Sequence, residues 1–269
     1  MKGKFAVNKI FHYILFMISI LVFIFLTSPI IMLIIKGAAA VPVCLKSKEI
    51  RFSIFLSLRT SVISTVFCIV TAIPSAYFIF KTEKFKKIII QILCIPMSLP
   101  HIVSGIALLL LFGRMGICDF LNNYLTIDFI FTRQGIILAQ IFVNLPFAVK
   151  QTVTAFEDIN KKVLFVAKTL GCNDIQVFLY IILPLIKNTL LSVIIMTWAR
   201  ALGEYGAVIM VAGATKMKTE IIPTSIMLNM STGDLDLAIG ISAVLIIISI
   251  SCMLIFEYLF NKGKKYAEN

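Results

Sequence analysis

Four stretches of the chain, residues 11–35, 60–80, 88–113 and 237–256, contain no Asp, Glu, Lys or Arg. Each holds the roughly 20 residues that a helix rising about 1.5 Å per residue needs to cross a hydrocarbon core of about 30 Å. Residues 135–156 form a fifth apolar stretch, with Lys150 near one end where its stem can reach the interface. Residues 188–211 form a sixth, interrupted by Arg200 and Glu204. The pattern predicts an all-α integral membrane protein, a single domain over 1–269. Its six transmembrane helices lie at about 11–35, 60–80, 88–112, 135–156, 188–211 and 237–258. Pro29, Pro74, Pro96, Pro100 and Pro146 fall within these spans, which lipid-embedded helices tolerate when neighbours satisfy the freed backbone groups.

Composition agrees. Of 269 residues, 60% are hydrophobic and 14% charged, against about half and a quarter in soluble domains. The net charge of +12 suggests nucleic acid in a soluble protein, but here the cations sit between apolar runs, where headgroups and topology account for them. Nucleic acid is therefore discounted as a partner. Counting cations by alternate loops gives fifteen on the side of the N-terminus and nine on the other. The positive-inside rule then places both termini in the cytoplasm. The first outer loop dissents, with Lys36, Lys46, Lys48, Arg51 and Arg59; Arg114, Arg133, Lys216 and Lys218 complete the outer set. Residues 38–40, all Ala, mimic a signal-peptide cleavage site, yet a cleaved apolar core runs 7–15 residues and this one is longer, so an uncleaved anchor is expected. The cysteines, Cys44, Cys68, Cys94, Cys118, Cys172 and Cys252, form no C-x-x-C pair, and neither His12 nor His101 has a cysteine at ligand spacing. They read mostly as small buried hydrophobes, with no metal site.

Between the fourth and fifth spans, residues 157–187 leave the membrane on the cytoplasmic side. Val163, Phe165, Val166 and Leu170 recur at helical spacing, and Gly171 can stop that helix. Asn173 or Asp174 can cap a second helix carrying Val177, Phe178, Tyr180 and Ile181, with Pro184 ending it or starting the next span. A hairpin lying flat on lipid fits the same pattern. The spacing resembles the cytoplasmic signature of ABC-importer permeases: Glu-Ala-Ala, three residues, Gly, nine residues, Ile-x-Leu-Pro. Here Gly171, Ile181, Leu183 and Pro184 stand in register, preceded by Ala167, Lys168, Thr169 and Leu170. The initial Glu-Ala is Phe165-Val166 in this chain. The resemblance implies the type I importer permease fold. It also implies a coupling helix at Ala167, Thr169, Leu170, Gly171, Ile181, Leu183 and Pro184, docked on a separate ATP-hydrolysing subunit. The chain itself has no G-x-x-x-x-G-K-[ST] loop.

Residues 200–213, RALGEYGAVIMVAG, resemble the signature of molybdate/tungstate permeases, with sulfate permeases as near relatives. Residues 96–113, beginning Pro-Met-Ser-Leu-Pro-His, look like the same group's proline-rich segment, with His101 where a second proline is usual. Ile222-Pro223 and residues 229–236 also look like that group. Bottom-up, Arg200 and Glu204 are four apart on one predicted helix near mid-span, where charge must be paired. They read either as a neutralised pair locking helices or as lining of the central pathway. Gly203 and Gly206 permit close helix approach, and Pro96, Pro100 and Gly105 can break the third span, turning backbone N–H groups toward a passing oxyanion. Ser104, Thr197, Thr215, Ser231 and Thr232 are candidate hydroxyl donors, while Asp234 and Asp236 suit the start of the last helix.

No Ser/His/Asp set, H-E-x-x-H or paired carboxylates support catalysis in this chain. The resemblance implies the channel-forming subunit of an ATP-driven oxyanion importer in a prokaryotic cell membrane. It implies a second copy of itself, two ATPase subunits carrying ATP-Mg, an extracytoplasmic oxyanion-binding protein, and no cofactor bound by this chain. Sulfate or thiosulfate are alternative substrates. An autonomous ion-coupled carrier using Arg200 and Glu204 as a charge relay is the rival of a different class.

Overall fold

The computed structural model describes residues 2–82, 84–113 and 128–265. Twelve helices are described: α1 (Lys2–Gly37), α2 (Val41–Lys46), α3 (Lys48–Lys81), α4 (Lys86–Leu93), α5 (Ile95–Ser98), α6 (His101–Phe112), α7 (Arg133–Glu157), α8 (Lys161–Thr169), α9 (Asp174–Leu202), α10 (Gly206–Ala212), α11 (Ile222–Ser231) and α12 (Leu235–Lys265). Five of them, α1, α3, α7, α9 and α12, are long and apolar enough to cross a membrane. Arg114 and Cys118 lie outside the described residues.

The third expected span is not one helix but three. Leu99, which precedes Pro100, is forced into extended backbone (φ −83°, ψ 145°), and α6 starts afresh at His101. Its 12 residues are too short to cross a bilayer alone. The fifth span also differs from the expectation. It starts earlier, at Asp174, passes through a π-helical stretch at Val177–Ile182, and stops at Leu202. Arg200 therefore lies on α9 while Glu204 lies in the break before α10, so the two do not share a helix. The second span is longer than predicted, with Arg51 and Arg59 inside α3. Pro29, Pro74 and Pro146 are absorbed within α1, α3 and α7.

Helices α3 and α7 form the spine and run parallel. Arg133 sits over the Phe52 ring at one end, Cys68 Sγ meets the Ile141 carbonyl at 3.9 Å midway, and the Phe80 and Phe156 rings lie 5.8 Å apart at the other. Ser53, Ser57, Ser61, Ser64, Cys68, Ala72 and Ala76 make a buried stripe of small side chains along α3, which lets helix backbones approach closely. Their hydroxyls would be costly in an apolar core, but Ser53, Ser61 and Ser64 donate to carbonyls of the preceding turn, as with Ser53 to Ile50 (2.9 Å) and Ser64 to Ser61 (3.1 Å), and Ser57 accepts from Ile222 N. Three apolar clusters result: one around Phe156 and Ile182, one around Ile136 and Val211, and one joining Cys44, Ile50, Ile222 and Ile241. Cys44 and Cys68 are buried free thiols, as small hydrophobes should be. At Gly37 and Gly240, α1 and the turn after it meet α12 so closely that a Cβ would collide with Ala243 and Ala40. The α12 helix is started by Asp234, whose Oδ1 accepts from Leu237 N at 3.0 Å.

The link between α10 and α11 folds onto the same end of the spine. Ile222 N donates to Ser57 Oγ at 2.8 Å, and Lys216 pairs with Glu49 at 2.8 Å. Within this link, Glu220 is fully buried, with Ser225 beside its carboxyl. Burial pushes its carboxyl above the ordinary value of 4.5. The native state thus retains a proton that the unfolded state releases above pH 4.5, and stability falls as pH rises toward the native value. Glu220→Gln, which removes the titration and keeps the shape, is expected to raise the melting temperature in detergent at pH 8. The gain should shrink toward pH 5; a gain independent of pH would contradict a buried, protonated carboxyl.

Candidate functional site

The chain between α7 and α9 builds a protruding elbow. Asn160 caps α8 by accepting from Lys162 N at 2.9 Å, and α8 ends in a glycine motif: Cys172 N donates to the Ala167 carbonyl (3.1 Å) and Gly171 N to that of Lys168 (3.0 Å). Gly171 has φ +84°, with open space around any added Cβ, so backbone conformation and not crowding selects glycine here. Asn173, one of the two expected caps, makes a reciprocal capping box with Gln176 at the start of α9.

The elbow is bolted to the spine by both charge and aromatic packing. Lys81 at the end of α3 reaches Asp174 at 3.0 Å, and Lys86 of α4 pairs with Glu157 of α7. Beneath them the Tyr77 ring lies 4.5 Å from Phe178 and 6.1 Å from Phe156. Ala167 is buried against this cluster. On the far side Phe165 is 72% exposed, Leu170 79% and Tyr180 76%, with Val166 and Ile175 also exposed. Beside α8, a cavity of about 860 Å³ is lined by Lys81, Lys86, Lys161, Lys168 and Phe165 among others. The far side of the knob is thus a cluster of exposed apolar side chains. Of the residues expected there, Thr169 and Pro184 are exposed, while Ile181 and Leu183 are half-buried in the bend where α9 begins.

The other end of α9 meets a second cluster. Glu204, 3% exposed, accepts from Ala207 N at 2.9 Å through Oε1 and from His101 Nδ1 at 2.8 Å through Oε2. One carboxylate therefore ties the start of α10 to the start of α6. The two helices are in backbone contact: a Cβ on Gly206 would stand 2.8 Å from His101 Cβ, and one on Gly105 would stand 2.9 Å from the Ala207 carbonyl oxygen. Arg200 does not pair with Glu204. Its Nε donates to Asn144 Oδ1 at 3.3 Å, and its guanidinium lies over the Phe147 ring, 5.1 Å from the centroid. Asn144 donates in turn to the Gln140 carbonyl at 2.8 Å, and Gln140 Nε2 donates to the Ala201 carbonyl at 2.9 Å, satisfying the end of α9 where its ladder stops.

Glu204, Gly206 and Gly105 are thus brought together. Arg200 sits to one side, Gly203 is exposed in the break, and Pro96 and Pro100 shape the chain leading into α6. Ser104 is buried beside this cluster without a partner; Thr197, Ser231 and Thr232 donate to their own helices. The sequence reading missed three contributors. His101 was legible only as a replaced proline, and Gln140 and Asn144 passed unnoticed, although two amides four apart inside an apolar span signal a buried network. Among the described residues no three His, Cys, Asp or Glu side chains converge on one point.

Comparisons with known proteins agree with this architecture. Residues 66–262 match the family described as binding-protein-dependent transport system inner membrane component. The chain is 31% identical to the probable transport system permease protein NifC of Clostridium pasteurianum, over 92% of this chain and 87% of that one. It is 31% identical to the molybdate/tungstate permease WtpB of Methanocaldococcus jannaschii, over 88% and 90%. With the sulfate permease CysW of Synechococcus elongatus it shares 33% identity over 66% and 63%. In fold it is similar to a chain of a bacterial alginate ABC transporter solved with its periplasmic protein, with a TM-score of 0.77 at 17% identity, covering 95% of each chain. With its membrane-crossing helices, broken third span and protruding elbow, the chain is a multi-pass permease belonging to the family of binding-protein-dependent transport system inner membrane components.

Proposed function

We propose that this permease imports a tetrahedral oxyanion, molybdate or tungstate, driven by two separate ATPase subunits that bind ATP-Mg. It works as a homodimer with both termini cytoplasmic, and an extracytoplasmic binding protein delivers the anion. The observation that carries this reading is the elbow: Phe165, Leu170 and Tyr180 present an apolar tip on a knob held by Lys81–Asp174 and Lys86–Glu157. Relatives named as molybdate/tungstate permeases support the substrate class. The sulfate permease relative keeps sulfate as the second reading.

Mechanistically, α9 is the transmission. It runs from Asp174 at the elbow to Leu202 at the Glu204 cluster, about 40 Å at 1.5 Å per residue. An ATPase closing on ATP moves the elbow, and a rigid helix carries that displacement to the break at Gly203. There the α6–α10 contact at Gly105 and Gly206 is shallow enough to slide, while Glu204 holds the two helix starts in register through His101 and Ala207 N. Arg200, partnered by Asn144 and Phe147, contributes positive potential at the inner side of this contact without closing on the carboxylate. Hydrolysis lets the elbow relax and the contact close again.

The test is reconstitution. Proteoliposomes carrying this chain, its ATPase and its binding protein should accumulate molybdate only with ATP; uptake by the chain alone under an ion gradient would overturn the reading. Gly171→Val places a β-branched residue at φ +84°, and Leu170→Asp charges the exposed tip. Each is expected to lower ATPase co-purification and uptake about tenfold, Leu170→Asp with little change in melting temperature and Gly171→Val with a fall of a few degrees from the strained backbone. At the gate, Glu204→Ala strips His101 and Ala207 N of their shared partner. His101 is 41% exposed and can turn to water, so the cost is chiefly that of leaving Ala207 N without its acceptor, about 1–3 kcal/mol. The variant should melt several degrees lower and hydrolyse ATP without matching uptake, measured side by side in the same vesicles.

A further inference from the structure

Near the end of the spine opposite the elbow, α3 and α7 part around a cavity of about 500 Å³ lined by Phe52, Phe55, Leu56, Arg59, Thr60, Ile63, Arg133, Gln134 and Ile137. The α3 residues recur at three- and four-residue steps and so share one helix face, while those from α7 come from its first turn. Two guanidiniums line this groove and no carboxylate does. Arg133 is held by its own scaffold: Nε donates to the Lys218 carbonyl at 3.2 Å and the guanidinium rests on the Phe52 ring, 5.4 Å from its centroid. Its terminal nitrogens remain available. Arg59 has no ion pair or hydrogen-bond partner among the described residues, although it stands a third of the way along a helix that crosses the membrane.

Two like charges in one groove with apolar walls repel each other and gain nothing from proximity. An anion seated between the two guanidiniums relieves that repulsion. Arginine is also the side chain whose planar fork matches an oxyanion bidentately, and Gln134 adds an amide donor at the rim. The excess of cations on the first outer loop, which runs against the positive-inside rule, has its explanation here: part of it builds a site.

We infer that Arg59 and Arg133 form an oxyanion-binding site in the groove between α3 and α7, on the outer side of the Glu204 gate. This rests on the proposed orientation and substrate class. The site receives the anion as the binding protein releases it and holds it by charge and bidentate hydrogen bonds before the gate opens. Its two arginines neutralise most of a divalent oxyanion's charge. Their flexible, solvent-facing side chains, both exposed, allow it to leave again. A lipid phosphate offers the same chemistry, and the experiment separates the two sources.

The full-length chain is reconstituted in nanodiscs of purely zwitterionic lipid, and in others containing anionic lipid. Tungstate retention is read by elemental analysis after equilibrium dialysis, with sulfate as competitor. Saturable tungstate binding is expected, weakened about tenfold by Arg59→Gln and by Arg133→Gln, and only partly restored by Arg133→Lys, which keeps the charge but loses the planar fork. Both positions are exposed, and unchanged melting temperatures will show that the variants fold. In proteoliposomes with ATPase and binding protein, both Gln variants should cut uptake while leaving ATP hydrolysis intact. Tungstate binding equal in wild type and variants overturns the inference. So does a site that in anionic nanodiscs holds co-purifying lipid, lost in the variants, with no effect on uptake. If the wild-type assembly transports no oxyanion at all, the proposed function fails first. If it transports normally and the variants do too, only this site fails.

Discussion

A helix can break inside a membrane only where protein groups take over the hydrogen bonds that the break releases. In this permease the breaks at Leu99–Pro100 and at Gly203–Tyr205 lie against each other; the Glu204 carboxylate takes up a freed backbone N–H at the second and reaches the first through the His101 side chain. It accepts from Ala207 N, which opens α10, and from His101 Nδ1, which opens α6. Gln140 does the same for the end of α9 through the Ala201 carbonyl. Without these side chains, two interrupted spans would leave unsatisfied backbone in a low-dielectric interior at several kcal/mol per group. The joining of these two broken spans thus depends on one buried carboxylate and its small neighbours.

The same constraint separates what is rigid from what can move. Around the elbow, the Lys81–Asp174 ion pair and the Tyr77–Phe178 rings join the start of α9 to α3, and Lys86–Glu157 and Tyr77–Phe156 join α4 and α3 to the end of α7. Around Gly105 and Gly206 the helices approach so closely that backbone atoms of Ala207 and Ile102 and the Cβ atoms of Met210 and His101 would meet an added Cβ. A rigid lever ending on a smooth, polar-tethered contact is a reasonable physical form for force transmitted across a membrane.

Much of the architecture was legible in the chain. Charge-free runs located α1, α3 and α12, because lipid excludes ionised side chains and imposes a minimum length, but the run at 88–113 is broken into three short helices at its prolines. The elbow was legible because its signals are local: a glycine that tolerates positive φ, an asparagine cap and a proline at a helix start. Those same rules met their limit at residues 188–211. Arg200 and Glu204 lie four apart in sequence, and a continuous helix would have paired them. The Gly203 break removes that geometry and sends each side chain to a different helix.

The amino-acid order by itself determined an all-helical, membrane-crossing chain with one extramembranous elbow, since composition and short-range stereochemistry suffice for those features. Only the tertiary structure decided the partners of its polar groups. Glu204 with His101, Arg200 with Asn144 and Phe147, and the meeting of Arg59 with Arg133 in one groove all join residues more than 50 positions apart. Such pairings depend on how helices break, slide and rotate against one another, and no periodicity within a single helix encodes that.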